Sequence, residues 1–483
     1  MSCVENLDQV IKSITLNYTD GIDNCPQELL DVINNSPSLN NLYYFTEGTI
    51  VKTNKEENFI FYGSCLSGTE YDYPEAISAT FDDMKKYVEE WKLNTLRLPI
   101  NPKTFSDFYN NKNYNYIQFI DVLMIRAFTA GFKMIVLDIH TYGQDFGINH
   151  YTTLKFLLKK YKNIKVCCFE PLNEYCPSDS KTINKWWIGD GEQKNIFGVK
   201  DMLDLARDPS KDTYTTNLLI FGGVDCAYQL NFLKPNPAQK NPNQNFDINT
   251  VLNYQFNIKP LNILFNSHPY GFMGYKGKPS DYGCQTEILP STDPIFETIS
   301  NSEGQNYVAL KNKDILDSFS YVDELGWVES FLWIINDNFT PLIFTEFGEN
   351  TEDPSIMGGF YYVAICQLVK QQNLKIKGSL HIISWALVFE NWTYQSLLTL
   401  LPNETNCNNF VPTGFPYMEN GVQKYAKALK EPYGPAIPGD KNNNFTGPGF
   451  YYKNFVNQQQ QQVVHPIKKI TRKKSMFSKI IKC

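Results

Sequence analysis

Two glutamates stand where they could share one reaction. Glu174 closes the run IKVCCFEPLNE (164–174), and Glu346 lies in PLIFTEFG (341–348). A pair of carboxyl groups suits the cleavage of an acetal: one protonates the leaving oxygen, the other supplies negative charge at the anomeric carbon as an oxocarbenium-like state forms. At a separation of about 5–5.5 Å such a pair works with retention, one group as nucleophile and the other as acid and then base. A neutral acid beside an ionised nucleophile needs surroundings that push their pKa values apart. Candidates for that task close other apolar runs. Arg97, one of only four arginines in the chain, would hold Glu346 ionised, and Tyr270 would donate a hydrogen bond to it. His268 is better placed to hold Glu174. Asn173 would bond a sugar 2-hydroxyl, Trp385 would give an apolar floor for a sugar ring, and His140 completes the polar set.

Eight short runs rich in apolar and β-branched residues carry these groups: 59–66, 94–100, 133–140, 164–174, 217–224, 262–270, 341–348 and 379–387. Most are continuously apolar rather than alternating, as expected of parallel strands covered by helices. Helical patterns lie between several of them. Thr80 and Asp83 form a candidate capping box ahead of Phe81, Met84, Val88 and Trp91. Ile117, Ile120, Met124 and Phe128 repeat at helical spacing, with Gly131 as C-terminal cap, and Leu325, Val328, Leu332 and Ile335 mark a further helix. The pattern predicts a (β/α)8 TIM barrel with insertions at 231–250 and 271–320. An open doubly wound sheet is disfavoured, because no GxGxxG or P-loop follows an early strand. Chemistry in such a barrel sits at the C-terminal ends of strands. Singly, Arg97, His140 and Trp385 each have a structural explanation; their convergence on one end favours a site.

Composition narrows the class further. The chain has 483 residues, 44 basic against 51 acidic, and a net charge of -7, which argues against a sequence-independent nucleic-acid binder. No apolar run is long enough to span a bilayer, and the N-terminus shows no secretory signal, so an intracellular or particle-associated protein is expected. The eleven cysteines are scattered without a CxxC pair, which predicts buried free thiols in a reducing compartment rather than disulfides or structural zinc.

The ordered set LRLP with Arg97, LDIH with His140, FEPLNE with Asn173 and Glu174, HPY with His268 and Tyr270, FTEFG with Glu346, and ISW with Trp385 resembles glycoside hydrolase family 5, the cellulase family. All eight characteristic positions match in order, over roughly residues 45–430. The resemblance implies a retaining glycosidase with Glu174 as acid/base and Glu346 as nucleophile, acting without metal or organic cofactor on a polysaccharide or oligosaccharide. The segment GSCLSGTEYDYP is similar to endoglucanase-like members and favours a β-1,4-glucan; a β-mannanase or exo-β-1,3-glucanase is the alternative within the family. One position departs: members commonly have proline directly after Asn-Glu, whereas Tyr175 and Cys176 intervene here before Pro177. Among aromatics that could line a cleft are Tyr142, Tyr175, Trp186, Trp187, Phe272, Tyr275 and Trp392.

Three segments follow: an N-terminal extension (1–44), the catalytic barrel (45–431), and a Pro/Asn/Gln-rich segment with a Lys-rich tail (432–483) expected to be disordered. The stretch EGTIVKTNKEENF predicts a hairpin plugging the barrel base. Residues 463–483 hold seven basic and no acidic residues, leaving 37 basic against 51 acidic elsewhere, so residues 466–483 are a candidate tether to an anionic surface. Two readings outside the family remain: a non-catalytic glycan-binding or structural barrel, and a metal-dependent hydrolase using His140 and His268, which lacks the grouped ligands such a site needs.

Overall fold

The computed structural model describes residues 4–19, 21–70, 75–77, 81–143, 146–176, 183–191, 195–235, 244–254, 261–269, 329–348, 360–386 and 448–464, with short strands at 296–300, 306–310, 398–400, 410–412, 416–419 and 422–425. Eight strands close into a parallel barrel: β1 (Tyr62–Cys65), β2 (Thr95–Ile100), β3 (Met134–Ile139), β4 (Cys167–Leu172), β5 (Leu219–Gly222), β6 (Ile263–Asn266), β7 (Leu342–Phe344) and β8 (Leu380–Ser384). They pair in chain order, and β8 returns to β1 with Ser384 beside Ser64. Every one of the eight apolar runs is a barrel strand. Their side chains are buried on both faces, those turned inward against the barrel core and those turned outward against helices. Gly63 in β1 is required by contact, since a Cβ there would lie 2.7 Å from the Thr95 carbonyl oxygen.

Helices α1 (Phe81–Glu89), α2 (Asn115–Ala130), α3 (Ile148–Tyr161), α4 (Val199–Arg207), α5 (Ile248–Leu252), α6 (Glu329–Asn336), α7 (Phe360–Lys375) and α8 (Pro448–Val464) follow the strands in turn. A further helix, Pro102–Asn110, follows β2 directly; Asn101 caps it by accepting from the Lys103 and Thr104 amides, a contribution of about 1 kcal/mol. The expected pattern of α2 holds, with Ile117, Ile120, Met124 and Phe128 buried and Gly131 left-handed at φ 111. Burial extends right round this helix because the N-terminal extension covers its outer side. Tyr18 donates to Asp121 at 2.8 Å, and Lys160 pairs with the same carboxylate at 3.1 Å. Within α6, Leu332 and Ile335 are buried. Thr80, Leu325 and Val328 lie outside the described residues, as does most of the 271–320 excursion.

Strands Tyr44–Glu47 and Ile50–Thr53 form the antiparallel hairpin read in the sequence. Its hydroxyl at Tyr44 donates to the Lys133 carbonyl just before β3, and its Thr46 amide donates to Asn262 just before β6. The hairpin therefore sits at the N-terminal ends of the strands, opposite the candidate site.

One expectation needs correction. Residues 432–483 are not loose throughout, because α8 lies inside that segment and packs on the barrel. Tyr452 is fully buried, donates to the Gly63 carbonyl at 2.6 Å and meets the ring of Phe347 at 5.6 Å. Phe455 and Val456 are buried with it, an i, i+3, i+4 stripe that the neighbouring glutamines masked. Residues 465–483, with nearly all of the basic tail, lie outside the described residues. No helix among the described residues is long and apolar enough to cross a membrane.

Candidate active site

Seven of the eight predicted site residues meet at the C-terminal mouth of the barrel, and Arg97 organises them. Its guanidinium is fully buried and meets five partners, among them Sγ of Cys65, 3.2 Å from Nη1. Nη1 donates to Oε1 of Glu346 at 2.6 Å, Nε to Oε2 of Glu170 at 2.7 Å, and Nη2 to Oδ1 of Asn173 at 2.5 Å. Nη2 also pairs with Oδ2 of Asp138 at 2.9 Å. Burial alone would weaken its charge, but Asp138, Cys65, Glu170 and Glu346 outweigh that and hold its pKa well above the ordinary value. Arginine is required here, because its planar fork reaches several acceptors at once where lysine offers a point charge.

Glu174 has different neighbours. His268, fully buried, places Nδ1 2.8 Å from Oε1 of Glu174 and 3.6 Å from Oε2 of Glu346. A Glu174 oxygen and a Glu346 oxygen lie within 4.8 Å of one another. Burial and the charge of Glu346 raise the pKa of Glu174 well above the usual carboxylate range, against the pull of Arg97. Burial pushes His268 well below its ordinary value, so its ring is neutral near pH 7. One member of the pair is thus salt-bridged to a permanent cation and the other is buried beside a neutral imidazole. That asymmetry supports a carboxylate and a carboxylic acid side by side.

His140 bonds Oδ2 of Asp138 through Nδ1 at 2.7 Å and stacks on Trp385, ring centroids 5.1 Å apart and planes 11° from parallel. Burial lowers its pKa. Asn173, besides accepting from Arg97, donates to the Thr141 carbonyl at 3.2 Å. Tyr270 lies outside the described residues, as do Phe272, Tyr275 and Trp392. Of the remaining aromatics, Tyr142 is 73% exposed and bridges Glu174 at the mouth. Tyr175, Trp186 and Trp187 are buried; Trp187 packs on Phe246 and Tyr254, so its ring serves the core rather than an open cleft.

Several residues of the site escaped the sequence reading. Asp138 and Glu170 are fully buried carboxyls whose pKa values burial raises to about 7, against the pull of Arg97. Asn266 and Thr345 bridge Glu170 to His268. Tyr228, half-buried, has its pKa raised by burial and by the charge of Glu174. The signal for Asp138 and Glu170 was present: a lone acid inside an apolar run, LDIH and CCFE, must find a partner in the barrel.

Cys176 and Cys226 form a disulfide, which overturns the expectation of free thiols for these two residues. They lie 50 residues apart in sequence, but the loops after β4 and β5 are neighbours in the barrel. The bond sits one residue beyond Tyr175, which stands where members commonly have proline, and the Cys226 amide donates to the Tyr175 carbonyl at 3.0 Å. Among the described residues Cys25, Cys65, Cys167, Cys168 and Cys366 are free.

Asp138, His140 and Glu346 form one set of convergent donors, and Glu174, His268 and Glu346 another. In both, the carboxylates are engaged by Arg97 or an imidazole, an acid–base arrangement that needs no ion to hold it together.

Closed barrel and paired carboxyls define a (β/α)8 glycoside hydrolase, acting on O-glycosyl bonds. Residues 53–385 match the family described as Cellulase (glycosyl hydrolase family 5), and the chain belongs to that family. Among solved structures it is similar to a beta-glucanase from Saccharophagus degradans, at 16% identity over 74% of this chain and 87% of that one, TM-score 0.45. It is similar also to an endocellulase from the archaeon Pyrococcus horikoshii, at 12% identity over 74% and 93%, TM-score 0.44. A thermostable GH5 cellulase from an Icelandic hot spring isolate aligns at 12% identity over 86% and 95%, TM-score 0.49. No curated protein matches the chain.

Proposed function

We propose that the chain is a retaining endo-β-1,4-glucanase in which Glu346 is the nucleophile and Glu174 the acid/base. The observation that carries this reading is the approach of Glu174 and Glu346 oxygens to within 4.8 Å, with Arg97 on one and His268 on the other. That spacing suits direct attack; an inverting pair stands about 6.5–9.5 Å apart to admit a water between.

In the first displacement Glu346 attacks the anomeric carbon while protonated Glu174 donates to the departing oxygen. In the second, ionised Glu174 takes a proton from water, which attacks the same carbon and frees Glu346. Arg97 keeps Glu346 oriented and charged, and Asn173, locked by Arg97, offers its amide to the sugar 2-hydroxyl. His140 and Trp385, stacked on each other, form the wall against which the ring rests. Tyr270 would donate to Glu346. No step calls for a metal or organic cofactor.

Preference for β-1,4-glucan rests on the family and on the first-strand segment GSCLSGTEYDYP. Incubation with β-1,4-glucan, β-1,3-glucan, mannan and xylan, with product sizes followed over time, tests it. Early appearance of mixed oligosaccharides from β-1,4-glucan is expected. Monosaccharide release from β-1,3-glucan, or cleavage of mannan alone, would reassign the substrate, and inertness towards all four would favour a non-catalytic barrel.

A further inference from the structure

Behind the two proposed catalytic carboxyls lies a third acid that the reaction above does not use. Glu170 is on β4, four residues before Glu174, and is fully buried. Its Oε2 accepts from Arg97 at 2.7 Å, and its Oε1 lies 2.6 Å from Oγ1 of Thr345. That hydroxyl is 2.9 Å from Nε2 of His268, whose Nδ1 is 2.8 Å from Oε1 of Glu174. Three short contacts therefore join Glu170 to Glu174 through Thr345 and His268, all within the barrel.

We propose that Glu170 is a positioning residue that shares one proton with Glu174 through the Thr345–His268 relay. The inference rests on the reading of Glu174 as acid/base. In one state Glu174 is protonated and donates to Nδ1, Nε2–H donates to Oγ1 of Thr345, and the threonine hydroxyl donates to ionised Glu170. Moving each proton one link along gives the other state. Nδ1–H then donates to ionised Glu174, Thr345 donates to Nε2, and Glu170 carries the proton and donates to Thr345. Three O–H or N–H bonds break, three form, and His268 remains neutral in its other tautomer. Asn266 Nδ2 lies 2.8 Å from Oε1 of Glu170, to which it donates in both states, and 3.0 Å from Nε2, which accepts from it only in the second.

The relay answers a difficulty of the site. Double displacement needs Glu174 as an acid in one half and as a base in the other, yet burial favours only the neutral form. Glu170 gives the proton a second place to reside. Burial raises Glu170 to about 7, which lets it compete for a proton near neutrality, and burial keeps His268 uncharged. The charged and titratable groups facing Glu170 are Arg97 on β2, Asp138 on β3, Cys168 on its own strand, Glu174 after it and His268 after β6, with Glu346 beyond Arg97.

Glu170→Gln offers Thr345 a permanent N–H and so freezes the second state, in which Nδ1–H stabilises ionised Glu174. The basic limb of kcat/KM against pH, measured on an unactivated oligosaccharide, should move about one unit to lower pH, a tenfold change in the protonated fraction. Thr345→Val cuts the relay and leaves Asn266 donating to Nε2, so the limb should move the same way. Thr345→Ser restores the hydroxyl and should return the limb to its original position. In the double variant E170Q/T345V the shift should not exceed the larger single shift, because both changes act along one path. A limb unmoved in folded E170Q and T345V, or shifts that add, would overturn the relay. If Glu170→Gln does not fold, the Val and Ser variants at position 345 decide alone. A basic limb that survives Glu174→Ala would instead remove the acid/base assignment, an outcome separable from failure of the relay.

Discussion

Arg97 and Arg207, both almost completely buried, stand at opposite ends of the barrel and do unlike things. Arg97 at the C-terminal mouth faces Asp138, Glu170 and Glu346, and its pKa is raised. Arg207, at the end of α4, gives its hydrogen bonds to backbone carbonyls. It donates to the carbonyls of Thr215, Asn217 and Leu261 at 2.7–3.0 Å, ahead of β5 and β6. No carboxylate among the described residues offsets its burial, which lowers its pKa to about 9. Three of the histidines divide the same way. His140 and His268 touch carboxylates at the mouth, while His381 accepts from the Phe61 amide through Nδ1 at 3.2 Å and packs on that ring. Burial by itself therefore does not mark function. What separates the two ends is the partner: side-chain charges at the mouth, main-chain carbonyls and amides at the base.

Glutamate substitutions test that division most severely. Glu174→Ala should lower turnover of unactivated substrate roughly 10²–10⁴-fold, and Glu346→Ala should lower it further, with melting midpoints near that of the parent. Added azide discriminates the roles. It should yield a glycosyl azide of retained configuration with the first variant and of inverted configuration with the second; the reverse would exchange the assignments.

Arg97→Lys comes next. It keeps one charge and loses the fork, so kcat/KM should fall by about 10–100-fold through misplacement of Glu346 and Asn173. Wild-type kcat/KM in that variant would show that the fork does not position the site.

Arg207→Met should give the converse result. Each buried carbonyl left without a donor costs about 1–3 kcal/mol, so calorimetry should show a midpoint roughly 10 °C lower. Activity per folded molecule should be unchanged. A loss of kcat without a loss of stability would erase the distinction between the ends.

The smallest expected effect is a pH dependence of stability. Asp138 and Glu170 rise on folding from their ordinary values to about 7, so between about pH 4 and 7 the native state binds more protons than the unfolded chain. Stability from these groups is present at low pH and is lost as pH rises through that window. Arg207 has the opposite sign: its folded pKa is lowered, and its contribution to stability rises as pH climbs above about 9. The midpoint should be lower at pH 7.5 than at pH 5, and the difference should shrink in Glu170→Gln. An equal difference in that variant would place the linkage elsewhere.

Much of this was legible in the sequence, for physical reasons. Parallel strands buried on both faces must be apolar throughout, so the eight runs stood out, and the polar residues closing them marked the mouth. Arg97, His140, Asn173, Glu174, His268, Glu346 and Trp385 were visible as chemistry at strand ends. Asp138 and Glu170 were not singled out, because an acid within a strand shows its purpose only when the strand that faces it across the barrel is known. The disulfide was hidden by the same non-locality, its two halves lying in loops that barrel closure makes adjacent. Helix α8 is hidden in the sequence because its apolar stripe of Tyr452, Phe455 and Val456 is short and runs directly into the polar glutamines 458–462. Trp187, one of several aromatics that could line a cleft, packs in the core, since aromatic type alone does not tell core from surface.

The central claim is that Glu346 becomes covalently bonded to the sugar. An aryl 2-deoxy-2-fluoro-cellobioside tests it, because fluorine at C2 disfavours the oxocarbenium-like state and slows both steps, while the good leaving group speeds formation alone, so the intermediate accumulates. Intact-protein mass spectrometry should show one added glycosyl unit, and peptide mapping should place it on Glu346. Absence of an adduct under conditions where natural substrate is cleaved, or an adduct on any other residue, would contradict the account.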